Sequence, residues 1–109
     1  MSGDDPAAAL QALLDVDRTV HEPARLVILG HLYAVDGADF LYLRRATGLT
    51  AGNISSHITR LEDAGLVSVK KSFEGRRPRT ALRLTAAGRR ALRDYVGVMA
   101  AALDVMAID

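Results

Sequence analysis

Between Gly52 and Arg60 the chain places small or hydrogen-bonding residues at helical spacing: Gly52, Asn53, Ser55, Ser56, Thr59 and Arg60. An ordinary solvated helix face is built from Glu and Lys, which favour the helix more than Asn, Ser or Thr do. These residues offer instead short donors and acceptors that can reach base edges or phosphate oxygens. A capping-rich first turn would account for Thr50 and Asn53, but not for Ser56, Thr59 and Arg60 further along. A basic segment follows, in which Lys70, Lys71, Arg76, Arg77, Arg79 and Arg83 face only one acid, Glu74. The chemistry on offer is recognition of a polyanion.

Bond-making chemistry has no comparable support. No acid stands in a recognisable catalytic pattern with Ser, Lys or His, and no Gly-rich loop suits a phosphate, so neither an enzyme nor a cofactor is expected. Without cysteine there are no disulfides and no thiolate metal sites. His21, His31 and His57 fall on different elements with no ligand spacing, so no metal is assigned. His31 belongs to an apolar helix and reads as structural. His57, at the border of the polar face, suits either a phosphate or base contact or a structural hydrogen bond.

The net charge is +1, but residues 1–39 carry seven acids against two bases while residues 70–83 carry a net +5. Such asymmetry points to a polyanionic partner at one end. No apolar run reaches the roughly 20 residues of a membrane span, and the acidic N-terminus does not read as a secretion signal. A soluble, cytoplasmic protein of one domain, 1–109, is expected, with no membrane partner.

The elements that must hold the polar face can be read from caps and periodicity. Asp5-Pro6 starts an N-terminal helix within residues 1–20, with Leu10, Leu13 and Leu14 as its apolar stripe. The core, residues 21–84, opens with a central helix from Pro23 that closes at Asp36-Gly37. Asp39 caps a third helix with Phe40, Leu43 and Ala46 inward, ended by Gly48. Thr50 caps the fourth, about 50–64, whose Ile54, Ile58 and Leu61 recur on one buried face. Gly65 stops it, and Val67, Val69 and Lys71 begin the first strand of a hairpin over about 67–84. The loop EGRRPR, stiffened by Pro78, reverses that hairpin, and Leu82 and Leu84 return inward.

A last helix, 85–109, follows Thr85. Its Leu92, Val96, Met99, Leu103 and Met106 form a heptad-like stripe too long for so small a core. With Leu10, Leu13 and Leu14 it is expected to make a homodimer interface. The fold class expected is mainly α with a small β-hairpin: a winged helix-turn-helix with long terminal dimerisation helices.

Gly52-Asn53-Ile54-Ser55-Ser56-His57 and Phe73-Glu74-Gly75-Arg76-Arg77-Pro78-Arg79-Thr80, with Leu84-Thr85 and Gly88-Arg89 after them, carry a resemblance. Over about residues 21–95 the chain resembles the winged-helix transcriptional regulators of the MarR/ArsR-like superfamily, nearest its small stand-alone members. That resemblance implies a dimeric DNA-binding regulator with its terminal helices at the dimer interface.

The function expected is sequence-specific binding of a double-stranded DNA operator by a homodimeric repressor. The fourth helix would enter the major groove, and the basic wing would hold backbone or minor groove. Thr50, Gly52, Asn53, Ser55, Ser56, His57, Thr59 and Arg60 form the expected reading surface, with Lys70, Lys71, Arg76, Arg77 and Arg79 on the wing. A small-molecule effector between the terminal helices and the core is compatible with this reading. A winged-helix protein-interaction module is the alternative, but it calls for an apolar recognition face and a neutral wing.

Overall fold

Each helix begins on a side-chain oxygen that takes up an otherwise unpaired backbone N–H. In a computed structural model that describes residues 5–107, Asp5, Glu22, Asp39, Thr50 and Thr85 fill these positions. Proline follows at Pro6 and Pro23, where no donor is needed. The helices so started are α1 (Pro6–Gln11), α2 (Pro23–Ala34), α3 (Phe40–Thr47), α4 (Ala51–Asp63) and α5 (Ala86–Val105).

Within the expected N-terminal segment, helical structure starts at Pro6, as the Asp5-Pro6 signal indicates, and runs to Asp15. Residues 1–4 lie outside the described residues, and α1 tightens into a 3-10 turn over Ala12–Asp15. Asp17 ends it: its Oδ1 accepts from the N–H groups of Thr19 at 2.9 Å and Val20 at 3.4 Å. That local turn competes directly with a helical ladder.

Three strands are present rather than a hairpin alone. Strand β1 (Ala38–Asp39) adds to the hairpin of β2 (Val67–Glu74) and β3 (Arg77–Leu84), in the antiparallel order β1-β3-β2. The hairpin reverses through two residues, Gly75-Arg76, with Gly75 at φ 65 and no positive φ at Arg76. Glycine first in a two-residue loop is the type II′ arrangement, whose twist matches that of the strands. Pro78 therefore lies within β3 opposite Phe73, and not in the loop. That position, one pair beyond the closing Glu74–Arg77 pair, is not hydrogen-bonded to β2, and β1 pairs only with Leu82 and Ala81. Pro78 consequently costs the sheet no ladder bond.

Helix α2 runs through the centre, with Ile28, Leu29 and Leu32 fully buried. Around it pack Val20, Leu43, Ile54, Ile58, Leu61, Leu66, Val67, Leu82, Leu92 and Tyr95. Leu43 is buried in α3 while Ala46 is exposed; the half-buried Thr47 follows Leu43 instead. The Thr47 hydroxyl donates to the Leu43 carbonyl at 2.6 Å and accepts from the Leu49 N–H at 3.2 Å, fixing the turn into α4. At the other end of α4, the N–H of Leu66 returns to the Leu61 carbonyl and that of Gly65 to Glu62, both at 2.9 Å. With Gly65 at φ 77 this is a Schellman ending.

The first turn of α5 is set by a close approach of backbones. A Cβ on Gly88 would overlap the Leu66 carbonyl oxygen and crowd the Leu84 Cδ2 at 3.1 Å. Leu66 cannot yield, because its carbonyl also accepts from the Thr85 N–H at 3.1 Å. We expect Gly88→Ala to destabilise the fold by about 3 kcal/mol, the upper part of the overpacking range. Urea unfolding checks this, and a wild-type midpoint for the variant would show that the α4–β2 turn moves freely.

Candidate nucleic-acid interface

The buried stripe of Ile54, Ile58 and Leu61 turns Gly52, Asn53, Ser55, Ser56, Thr59 and Arg60 outward, all exposed. Thr50 caps this helix, its Oγ1 accepting the Asn53 N–H at 3.1 Å, and its exposed hydroxyl keeps a hydrogen to donate. The Thr59 hydroxyl donates back to the Ser55 carbonyl at 2.9 Å, which leaves its oxygen free to accept.

His57 parts from this set. Its ring is half-buried against the start of α2, where Nδ1 lies 3.2 Å from Arg25 Nη1 and Nε2 lies 3.6 Å from Glu22 Oε2. A guanidinium can only donate, so Nδ1 accepts and the ring proton sits on Nε2, toward Glu22. Arg25 also donates through Nε to the Thr19 carbonyl at 2.6 Å. Burial raises the Glu22 pKa, but the Arg25 and Ala24 N–H groups, with the His57 ring and the Arg25 guanidinium nearby, outweigh it and hold the carboxyl below its ordinary value. Of the two roles open to His57, the geometry supports the structural hydrogen bond. The residue ties α4 to α2 and does not join the outward surface.

Alternation along the hairpin divides its charges between two faces. Val67, Val69, Lys71 and Phe73 share one face with Pro78, Thr80, Leu82 and Leu84, and this face turns toward the core. Lys70, Glu74, Arg77, Arg79 and Arg83 lie on the other. Lys71 and Phe73, beyond the edge of the core, are exposed. The expected site bases Lys70, Lys71, Arg76, Arg77 and Arg79 are all exposed as well. Arg79 reaches Glu74 at 3.3 Å, an exposed pair of little energetic weight. Arg83 meets Asp36 at 2.7 Å and braces the hairpin base against the α2–β1 turn.

Between α4 and the hairpin lies an open cleft of about 390 Å³, lined in part by Ser55, Thr59, Glu62, Lys71 and Thr80. Its polar lining offers the Ser55 and Thr80 hydroxyls and the Lys71 ammonium as donors that suit a phosphate, with Thr59 already donating to Ser55 and Glu62 as the opposing charge. A second cleft, about 540 Å³, lies at the α3–α4 turn and holds Arg44, Arg45 and Thr50. The sequence reading did not single out Arg44 and Arg45. The signal was an adjacent basic pair on the exposed side of α3, just before α4.

A family model described as a winged helix DNA-binding domain matches residues 24–103. The chain belongs to that family. A winged helix is thus the setting of α4 and its hairpin, and the family is a DNA-binding one rather than an enzyme family. An uncharacterized protein of Methanocaldococcus jannaschii is 38% identical over 72 residues, 66% of this chain and 78% of that protein. A transcriptional regulator homologue from Pyrococcus horikoshii OT3 superposes with a TM-score of 0.83 at 29% identity, over 92% of this winged helix and 98% of that chain. NadR, solved with 4-hydroxyphenylacetate, gives a TM-score of 0.67 at 25% identity over 82% of this chain and 62% of its own. A MarR-family regulator from Enterococcus faecalis V583 shares the fold at a TM-score of 0.65 and 22% identity, over 94% and 88% of the two chains. With these neighbours the winged helix is a DNA-binding transcriptional regulator of MarR-like fold.

The apolar stripe of α5 is rotated relative to its sequence reading. Leu92 is buried in the core and Met99 packs against it, so Leu92 does not lie on the outward face that the stripe was expected to form. Tyr95 and Ala102 complete the inward face, and the Tyr95 hydroxyl lies 2.7 Å from His21 Nδ1. Val96 (53% exposed), Leu103 (57%) and Met106 point outward. On the N-terminal segment Leu10 and Leu14 are exposed and Leu13 is half-buried. Among the described residues no helix is long and apolar enough to cross a membrane, and no cluster of His, Asp or Glu is suited to a metal.

Proposed function

We propose that this winged helix is a homodimeric repressor that reads a two-fold symmetric operator with α4 in the major groove. The observation that carries the reading is the exposed Asn53, Ser55, Ser56, Thr59 and Arg60 face, set beside the Lys71 cleft and preceded by Arg44 and Arg45. In a helix-turn-helix the first helix crosses the backbone while the second reads bases, which suits a basic α3 and a polar α4. The wing bases Lys70, Arg76 and Arg77 then hold phosphates or the minor groove. Repression needs only that the bound dimer occlude the DNA it covers.

The outward Val96, Leu103 and Met106, with Leu10 and Leu14, support pairing of two copies. An effector has a place as well. A groove of about 590 Å³ between the N-terminal segment and α5 is lined by Ala8, Ala12, Gly97, Val98 and Ala101, with Arg93 and Asp94 beside them. A small, largely apolar molecule fits that lining, and NadR was solved with 4-hydroxyphenylacetate.

Selection of bound fragments from genomic DNA tests the reading, and the enriched sites define the operator. On it, Asn53→Ala or Ser56→Ala should change which bases are preferred. Arg77→Ala should weaken all sequences alike and lower the salt slope by about one per lost phosphate contact. Unchanged base preference in the α4 variants would remove α4 as the reading helix. No enrichment by the native chain would favour a protein-interaction module.

A further inference from the structure

Phe73 is the most exposed large apolar side chain of the described residues, at 74%. It has no part in the core, so burial in this fold does not explain a phenyl ring at this place. It is also not on a loose loop. Phe73 lies in β2, one pair before the closing Glu74–Arg77 pair, with the rigid ring of Pro78 directly opposite. Arg76 follows in the turn and Lys71 precedes Phe73 on the same face, while Arg77 lies on the opposite face of the tip. An isolated aromatic ring on a basic hairpin tip is a poor seat for an apolar protein surface, and a good one for a polyanion that also presents stacked, apolar base faces.

We propose that Phe73 is a minor-groove wedge, entering the groove next to the one read by α4 and partly unstacking a base step there. The proposal rests on α4 being the reading helix, as above. Lys71 lines the cleft with Ser55 and Thr59 and marks where the phosphate ridge passes between helix and wing. Phe73 lies two residues further along the same face, about 7 Å beyond Lys71 at the strand rise. The minor groove opens on the far side of that ridge, and a phenyl ring carried beyond Lys71 is placed to reach its floor. Phenylalanine is among the side chains that open base steps in this way, and the kink it makes favours flexible pyrimidine–purine steps. Phe73 thus becomes a specificity-determining residue at positions flanking those that α4 reads.

The test uses the full chain and the duplex recovered by fragment selection, with aminopurine placed at successive flanking steps. Native protein and Phe73→Leu should raise aminopurine fluorescence at one flanking step in each half-site. Phe73→Ala should not, and should bind about tenfold to a hundredfold more weakly, as expected for losing a buried phenyl ring. Its salt slope should be unchanged, because no phosphate contact is lost. Phe73→Lys should also bind more weakly despite its added charge, and an exposed site predicts native helical content for all three variants. Native affinity and fluorescence in Phe73→Ala would overturn the wedge, as would tighter binding by Phe73→Lys with a slope steeper by about one. A native chain that binds no duplex overturns the wedge together with the reading beneath it. Loss in Phe73→Ala and Phe73→Lys, with Phe73→Leu retaining the signal, leaves that reading standing and supports the wedge.

Discussion

Raising the salt concentration from about 50 to 200 mM should weaken operator binding by about three to five orders of magnitude, as for ~6–10 phosphate contacts per dimer. A formal net charge of +1 would suggest almost no such effect. The distribution of charge decides otherwise. On each chain Lys70, Lys71, Arg76 and Arg77 are exposed along the wing and Arg44 and Arg45 are exposed beside α4. Each base that neutralises a phosphate releases condensed counterions, and log K falls by about 0.9 per contact for each unit of log salt. Arg79 and Arg83 should add less, since each already faces a carboxylate, Glu74 and Asp36. A titration across four or five salt concentrations measures the slope. A flat line would reject phosphate contact by this surface.

Placing two carboxylates on the outer face of α5, Val96→Glu with Leu103→Glu, should abolish the dimer and weaken operator binding by about a hundredfold to ten-thousandfold. The second half-site is then no longer held at the effective concentration that linkage supplies. The fold should survive, because both side chains point away from the core while Gly88, Leu92, Tyr95 and Ala102 hold the inward face. A two-fold interface sets each substituted residue near its symmetry mate or the mate's neighbours, so like charges meet without a partner. Sedimentation of both proteins, with circular dichroism to confirm helix content, separates loss of pairing from loss of fold. A native chain that is monomeric at micromolar concentration, or a double variant that still pairs, would reject this interface.

What was legible in the sequence is what short-range physics determines. Capping needs only one oxygen three residues before an N–H, so Asp39, Thr50 and Thr85 could be placed without knowing the fold. The Schellman stop at Gly65 and the buried stripe of Ile54, Ile58 and Leu61 depend on spacing along one helix, and with them the outward polar face of α4 was legible. The order of helix, helix and basic hairpin followed from the same local signals, as did the family resemblance that the match over residues 24–103 established.

Only the tertiary structure decided questions in which two distant segments compete for one side chain. Periodicity gave α5 one long apolar stripe; the approach of Gly88 to Leu66 and the contact of Tyr95 with His21 set the rotation that took Leu92 into the core and left Val96 and Leu103 outside. His57 stood at a border between faces until Arg25 and Glu22, more than thirty residues earlier, engaged both its nitrogens. Strand β1 is two residues long and exists only because β3 offers it a free edge, a pairing that no local pattern announces. Helix caps and amphipathic stripes are settled within a few residues of chain, whereas the rotation of a helix, the partner of an arginine and the exposure of Phe73 are settled by what packs across the gap.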